Sequence, residues 1–201
     1  MKHRPIKTTR YIYCLCLVCL GGVLAACLWG SKAPERDFTL EDLLIDLSDL
    51  PDGWWEEHPP APPLEVDGEI IASESIRVIF LASKSPREAV GHSIYRFRYT
   101  DTARKEYQNQ LEIRFNDPSL TLPEALPYQS DVAESSTFVC GEVTGGESCH
   151  FMGVYEEFLV ILNVVMRGSI NYTELESILE TIDHRMATWV VPNNKNIKRE
   201  E

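Results

Sequence analysis

The stretch FLVILNVVM at residues 158–166 decides the fold, because all of its residues except Asn163 are apolar. Alternate residues of an extended chain face opposite sides of a sheet. Positions 158, 160, 162 and 164 therefore form one apolar face, and positions 159, 161 and 165 form the other. A strand that is apolar on both faces is typical of a sheet that is covered on both faces. The stretch predicts a central strand with a layer of structure on each side.

An amphipathic helix is predicted directly after this strand. Asn171, with Glu174 three residues later, has the spacing of a helix N-cap. The apolar residues that follow recur at helical spacing and form one stripe: Leu175, Ile178, Leu179, Ile182, Met186 and Trp189. We expect this C-terminal helix to pack on the sheet. In that arrangement Met186 and Trp189 belong to the core and do not form a binding site.

Cys140 and Cys149 flank a predicted hairpin turn at residues 143–146, which contains two glycines. This turn places the two cysteines opposite each other on paired strands. It also places Glu142 opposite Glu147. Facing cysteines on paired strands meet the separation that a disulfide requires. A metal site formed by the cysteines with His150 is disfavoured, because adjacent strand residues point to opposite faces. The pattern therefore predicts a disulfide that closes the hairpin.

The remaining core region alternates between strand and helix patterns. Strands are predicted at 69–72, 76–82 and 93–99, with Arg96 and Arg98 paired to surface carboxylates. Asp101 caps a short helix, after which apolar residues at 111, 113 and 115 return to the period of a strand. The sequence therefore predicts an α+β fold. It consists of a mostly antiparallel sheet with the C-terminal amphipathic helix and a shorter helix packed on it, and one hairpin disulfide.

The segment before this region contains two adjacent tryptophans, Trp54 and Trp55. Residues 28–38 are predicted to be a tether, and Thr39 with Asp42 caps a short helix that runs to Leu47. Residues 56–63 are rich in proline and are predicted to form no regular structure. One of the tryptophans is expected to pack onto the domain. Contact of the pair with a ligand is the alternative.

The N-terminus has the charge pattern of a segment that enters a membrane. Residues 1–10 carry four basic and no acidic side chains, and residues 11–30 carry no charge. Twenty uncharged residues are long enough to span a bilayer as a helix. Cys14, Cys16 and Cys19 lie within this apolar run, where a metal site is not expected.

The tetrapeptide Leu24-Ala25-Ala26-Cys27 resembles the lipobox of bacterial lipoproteins. This resemblance implies that residues 1–26 are a signal peptide that is removed and that Cys27 carries lipid, with fatty acyl chains such as palmitate. The bulky Leu28 and the cysteines in the apolar run depart from the usual pattern. An uncleaved membrane anchor is therefore the alternative. Both readings place the domain outside the cytoplasmic membrane.

The predicted organisation is a signal peptide at 1–26 and a second region at 27–63, which holds the lipidated cysteine, tether, short helix and proline-rich linker. An α+β domain at 64–191 and a disordered tail at 192–201 follow. The mature part also resembles uncharacterised bacterial surface lipoproteins in its acidic segment DLPDGW at 49–54, its closed hairpin and its C-terminal helix. That family implies no activity.

Charge limits the partners of the mature chain. The full chain has 19 basic and 31 acidic residues, and four of the basic residues lie in 1–26, which leaves 15 against 31, or a net charge of −16. Such a chain repels nucleic acid. The expected partners are the membrane, through lipid on Cys27, and an envelope protein or a small ligand.

No motif in the sequence indicates an enzyme class. The sequence has no phosphate-binding glycine loop, GxSxG elbow, HExxH pair or EF-hand pattern. Four scattered histidines are each interpreted as surface or structural residues: His58, His92, His150 and His184. The acidic pairs Glu56-Glu57 and Glu156-Glu157 are interpreted as surface charges in preference to glycosidase carboxylates.

These patterns predict no catalytic residue, no metal ligand and no cofactor. The expected function is that of a lipid-anchored, extracytoplasmic binding or structural protein of the bacterial envelope. One alternative is a single-span sensor or accessory protein. The other is a hydrolase whose site assembles only in the fold.

Overall fold

A six-stranded antiparallel sheet is the centre of the computed structural model, which describes residues 31–63, 70–82 and 85–191. The strands in chain order are β1 (Trp54–Ala61), β2 (Glu74–Ala82), β3 (Ser85–Arg96), β4 (Ser135–Val143), β5 (Gly146–Tyr155) and β6 (Phe158–Met166). Their order across the sheet is β1-β2-β3-β6-β5-β4. Strand β6 is therefore internal, as predicted, and the α+β fold is confirmed.

Two helices cover the two faces of the sheet: α1 (Thr100–Arg114) and α2 (Tyr172–Trp189). On the first face, the even-numbered side chains of β6 pack in one core with the apolar stripe of α2. On the second face, Leu159 and Ile161 of β6 pack with Ala103 and Tyr107 of α1. The prediction that β6 is covered on both sides is confirmed for Leu159 and Ile161, whereas Val165 at the end of the strand is only half-buried.

The predicted cap of α2 is present. The Asn171 side chain accepts hydrogen bonds from the backbone N–H groups of Thr173 and Glu174, at 2.9 and 3.1 Å, and Glu174 accepts one in return from the Asn171 N–H. Met186 is fully buried, as predicted. The placement of Trp189 in the core is wrong, because its side chain is 44% exposed. It lies in the last turn of the helix, with its ring 5.9 Å from that of Phe38.

The predicted disulfide between Cys140 and Cys149 is present, and the two residues are paired across β4 and β5. The register also pairs Glu142 with Glu147, as expected from the turn. Gly145 has a φ of 80°, a conformation that favours glycine. Both cysteines are buried on the first face.

The predicted strand around residues 111–115 is wrong, because α1 continues to Arg114. Ala103, Tyr107 and Leu111 are spaced four residues apart and share the face of α1 that packs on the sheet. This helical spacing outweighs the coincidental period of two, and Ile113 is 64% exposed as a result. The predicted strand at 93–99 is the end of β3, which stops at Arg96.

Three expectations for residues before β2 are also wrong. The proline-rich stretch forms β1, an edge strand with two register shifts, and an edge strand tolerates proline because its outer N–H groups need no partner. Residues 39–47 do not form one helix. Two short 3₁₀ turns at Leu40–Leu43 and Leu47–Asp49 replace it, since Asp46 caps a second turn. In the expected strand at 69–72, residues 70–72 form no strand, and Ile70 is buried against the second face.

Residues 32–38, predicted as part of a tether, lie against the folded domain. Lys32 forms an isolated bridge with Tyr99, and the Ala33 N–H donates to the Arg98 carbonyl at 2.8 Å. Lys32 belongs to the same compact unit as the sheet. The predicted signal peptide, the lipidation site Cys27 and the tail at 192–201 lie outside the described residues.

Among the helices of the described residues, none has both the length and the apolar character that a membrane span requires.

Candidate functional site

Part of the second face lies beyond α1 and stays partly open. Side chains beneath α1, such as Leu159 and Ile161, are buried, whereas Asn163 and Val165 further along the same strand are only half-buried. We call this part the open face. It comprises Trp55, Arg77, Ile79, Leu81, Ala89, Gly91, Ser148, His150, Asn163 and Val165.

Strand register arranges these residues in rows that cross the sheet. Paired residues of neighbouring strands point to the same side. One row contains, in order, Ile79, Gly91, Asn163 and His150. The next row contains, in order, Trp55, Leu81, Ala89, Val165 and Ser148. Polar side chains of β5 and β6 therefore lie together at one end of these two rows. We call the row from Trp55 to Ser148 the apolar lane.

Three of these polar side chains form a chain of hydrogen bonds. The Ser148 Oγ lies 3.0 Å from His150 Nε2, and His150 Nδ1 lies 2.8 Å from the Asn163 Oδ1. An amide oxygen only accepts hydrogen bonds, so Nδ1 carries the ring proton and donates it. Nε2 is then an acceptor for the Ser148 hydroxyl. The order is that of a nucleophile, a base and a residue that orients the base.

The imidazole of His150 also faces the ring of Phe115, the residue that follows α1. The two rings are 6.4 Å apart in an edge-to-face arrangement. His150 was predicted to be a surface or structural residue, and Ser148 and Asn163 were not singled out. The sequence does contain one signal for this group: Asn163 is the one polar residue in the apolar strand that decides the fold.

A cation lies beside this group. Arg167 follows β6, and its Nη1 is 3.4 Å from the position that a Cβ atom on Gly145 would take. A Cβ atom on Gly146 would lie 2.9 Å from the Arg167 Cγ and 2.0 Å from the Met166 carbonyl oxygen. Gly146 and Ser148 are two residues apart on β5, so they share a face. The two glycines thus leave room for the arginine at the hairpin turn, one row beyond Ser148.

A pocket of about 350 Å³ occupies the opposite end of the open face, at the edge formed by β1 and β2. It is lined by His58, Pro59, Ala61, Pro62, Pro63, Arg77 and Ile79. The guanidinium of Arg77 lies over Gly91, with Nη2 3.6 Å from the position of a Cβ atom there. The Arg77 Nε is buried and has no hydrogen-bond partner among the described residues. The pocket is therefore mainly apolar and contains one cation.

The two tryptophans have different environments. Trp54 is 8% exposed and packs in the core of the first face, which confirms that one tryptophan packs onto the domain. Trp55 is 43% exposed and pairs with Leu81 at the far end of the apolar lane from Ser148. Of the two predicted ligand contacts, only Trp55 is accessible. Its contact with a ligand stays a prediction.

The Glu156-Glu157 pair is part of a structural ion-pair cluster. Glu157, predicted as a surface charge, is fully buried, and Arg36 binds its two oxygens at 2.9 and 2.8 Å. Arg36 also contacts Glu156 and donates to the Val190 carbonyl at 3.1 Å. The hydrogen bond to Glu157 raises the pKa of Arg36 above its usual value. Arg96 pairs with Glu74 at 3.4 Å, so the prediction that it pairs with a carboxylate is confirmed.

Two other buried polar groups also serve the fold. Asp183 accepts hydrogen bonds from the hydroxyls of Tyr128, Ser130 and Tyr155 at 2.6–2.7 Å. Burial raises the pKa of the Tyr155 hydroxyl, and the charge of Asp183 raises it further. His92 accepts a hydrogen bond from the Ile45 N–H at 3.2 Å. Burial lowers its pKa to about 3, so it is neutral near pH 7.

The described residues contain no group of three or more histidine, cysteine, aspartate or glutamate side chains placed to hold a metal ion. No protein-family model matches the sequence, and no curated protein or solved structure is significantly similar to it.

Proposed function

We propose that this chain is a lipid-anchored, extracytoplasmic protein of the bacterial envelope that binds a small ligand on the open face. The ligand has an apolar body and one anionic group. The observation that carries the binding proposal is the pocket around Arg77, where a cation without a carboxylate partner in the described part of the chain is set among apolar side chains.

The pocket has the character of a small-molecule site. Such sites are usually concave, mostly apolar and provided with a few polar groups that orient the ligand. A guanidinium binds a carboxylate through two parallel hydrogen bonds. The mature chain is strongly acidic, so its long-range field does not attract anions. Affinity must therefore come from direct contact with Arg77 and from burial of the apolar body.

The resemblance of the tetrapeptide at 24–27 to a lipobox supports the anchoring part of the proposal, and the segment that follows it is bonded to the domain. Lys32 and Ala33 are bonded to the segment after β3, and Arg36 holds Glu157. Cys27 precedes Lys32 by five residues. A chain of that length reaches at most about 18 Å. Lipid on Cys27 would therefore keep the domain close to the membrane surface.

The anchor is tested by the intact mass of the membrane-extracted protein and of a Cys27→Ala variant. We expect the wild-type protein to lack residues 1–26 and to carry an added lipid mass, and the variant to carry none. A full-length, unmodified mass in both proteins would instead favour the alternative of a single-span membrane protein.

Ligand binding is tested by NMR titration of the mature domain with octanoate and with the uncharged octanol. We expect octanoate to shift the signals of residues around Arg77 and to bind more tightly than octanol. Arg77→Gln should weaken octanoate binding about tenfold, because a charge-assisted hydrogen bond is lost. The control is Arg87→Gln, which removes an exposed arginine of β3 and should leave the affinity unchanged. Equal affinities in all three proteins would contradict the proposal.

A further inference from the structure

We infer that Ser148, His150 and Asn163 form an acyl-transfer site that hydrolyses esters with an apolar acyl chain. The inference goes beyond binding at Arg77 and rests on a different group of residues. It is also independent of the lipid anchor.

The three side chains are hydrogen-bonded in a fixed order across two neighbouring strands. Ser148 and His150 are two residues apart on β5, and Asn163 is the partner of His150 on β6. Their hydrogen bonds of 3.0 and 2.8 Å lie within the range for a nucleophile, its base and a group that orients the base. The Asn163 Oδ1 fixes the tautomer in which Nε2 is free to accept the proton of Ser148. All three side chains are half-buried, so they are accessible from the open face.

An apolar row of side chains leads to Ser148. Trp55, Leu81, Ala89 and Val165 form an apolar row on successive strands, and Ser148 is the next member of that row. Neighbouring strands are about 4.8 Å apart, so the row from Trp55 to Ser148 is about 19 Å long. An extended acyl chain that lies along this row presents its carbonyl group at Ser148. The geometry therefore favours a substrate with a long apolar acyl group.

Negative charge develops on the carbonyl oxygen of the ester during the reaction. Backbone N–H groups of a sheet lie in its plane and are used in the ladder, so donors to a carbonyl oxygen above Ser148 must be side chains. Arg167 lies beside the Gly145-Gly146 turn, one row from Ser148. Its Nε is buried without a hydrogen-bond partner among the described residues. Its Cγ lies over Gly146 and its Nη1 lies beside Gly145 at the turn, so the side chain must rotate back from the turn to stabilise an oxyanion at Ser148.

The reaction proceeds in two balanced steps. The Ser148 Oγ bonds to the ester carbonyl carbon while its proton moves to His150 Nε2. The bond from this carbon to the alcohol oxygen then breaks, and the proton passes from Nε2 to the departing alcohol. Water next attacks the acyl-serine and gives a proton to Nε2. The bond from the acyl carbon to Oγ breaks, and Ser148 recovers its proton as the carboxylic acid leaves.

The experiment measures hydrolysis of p-nitrophenyl acetate and p-nitrophenyl octanoate by the mature protein, together with labelling by a fluorophosphonate probe. We expect a burst of p-nitrophenolate, a higher kcat/KM for octanoate and a probe adduct located on Ser148. Ser148→Ala should abolish labelling and lower kcat at least about 100-fold, and His150→Ala should have a comparable effect. Ser75→Ala is the control, because Ser75 is a half-exposed strand serine paired with Tyr95.

Asn163 is a positioning residue, and a separate pair of variants tests its role. Asn163→Ala should lower kcat about tenfold without changing KM, whereas Asn163→Asp, which keeps an acceptor for Nδ1, should retain activity. The inference is overturned if the wild-type protein and Ser148→Ala hydrolyse both esters at the same rate. It is also overturned if the probe labels a residue other than Ser148. A failure of octanoate to bind at Arg77 leaves these readouts unaffected, so the two proposals fail separately.

Discussion

The two faces of the sheet differ in how far they are closed. On the first face, α2, the 3₁₀ turns and the segment at 126–133 cover the strands, and Arg36 closes one end against Phe158. On the second face, α1 covers one part and leaves a half-buried region with polar side chains from several strands. The closed core that stabilises the domain and the sites that we propose therefore lie on opposite sides of the same strands.

The same strand register serves both faces. Cys149 points into the first core, whereas its neighbours Ser148 and His150 point to the open face. A change on one face therefore acts on the other only through the backbone of β5. Mutations that separate stability from ligand chemistry give the sharpest tests of this division.

The largest expected effect comes from Arg36→Met, which leaves Glu157 buried without its main partner. Removal of one member of a buried ion pair costs about 3–5 kcal/mol. The matched control is Arg104→Met, because Arg104 pairs with Glu134 and Asp101 on the surface, where a pair contributes about 0–1 kcal/mol. Urea unfolding monitored by circular dichroism measures both changes. Equal losses in the two variants would show that the cluster around Arg36 does not close the first face.

The next effect in size comes from the disulfide. Loss of a cross-link between residues nine apart should lower the free energy of unfolding by about 2–3 kcal/mol. Urea unfolding of the double variant Cys140→Ser, Cys149→Ser measures this loss. The NMR signals of the His150 ring should stay in place if the two faces are independent. A large shift of these signals would instead show that the two faces are coupled through the backbone of β5.

A somewhat smaller effect follows from the buried His92, whose pKa in the folded state is about 3. The unfolded value is about 6.5, so the unfolded state binds more protons between these values and stability falls as the pH is lowered. From pH 7 to pH 5 this histidine should cost about 2 kcal/mol. Urea titrations at both pH values, with His92→Gln as the comparison, measure the contribution. An identical pH dependence in the variant would exclude His92 as its source.

Most of the first face could be predicted from the sequence, because its signals are local and repeated. The alternation of β6, the stripe of α2 and the spacing of Cys140 and Cys149 each specify one geometry. The wrong predictions concern segments whose structure is determined by tertiary contacts and not by their local sequence pattern. Prolines occur in β1 because it is an edge strand, and the segment at 32–38 is held by Arg36, whose partner Glu157 is 121 residues away.

The open face could not be predicted in the same way. Ser148 and His150 are close in the chain, but their contact with Asn163 depends on the register between β5 and β6. Arg77 and Gly91 meet through the register of β2 and β3, and neither forms part of a motif. A site made from one or two residues on each of several strands leaves no signature in any single segment. The one local indication of this site in the sequence is the polar Asn163 within an apolar strand.

The smallest expected effect on stability is that of Trp55→Ala, and it tests the open face alone. Trp55 is 43% exposed and Trp189 is 44% exposed, but they lie on opposite faces of the sheet. Each alanine variant should change the free energy of unfolding by no more than about 0.5–1 kcal/mol, because much of each side chain is already in water. Trp55→Ala should lower the ratio of kcat/KM for p-nitrophenyl palmitate over p-nitrophenyl octanoate, because Trp55 lies about 19 Å from Ser148 along the row, a distance that an extended chain of about 16 carbons spans and an octanoyl chain does not. Trp189→Ala should leave that ratio unchanged, and equal ratios in the two variants would place the acyl chain elsewhere.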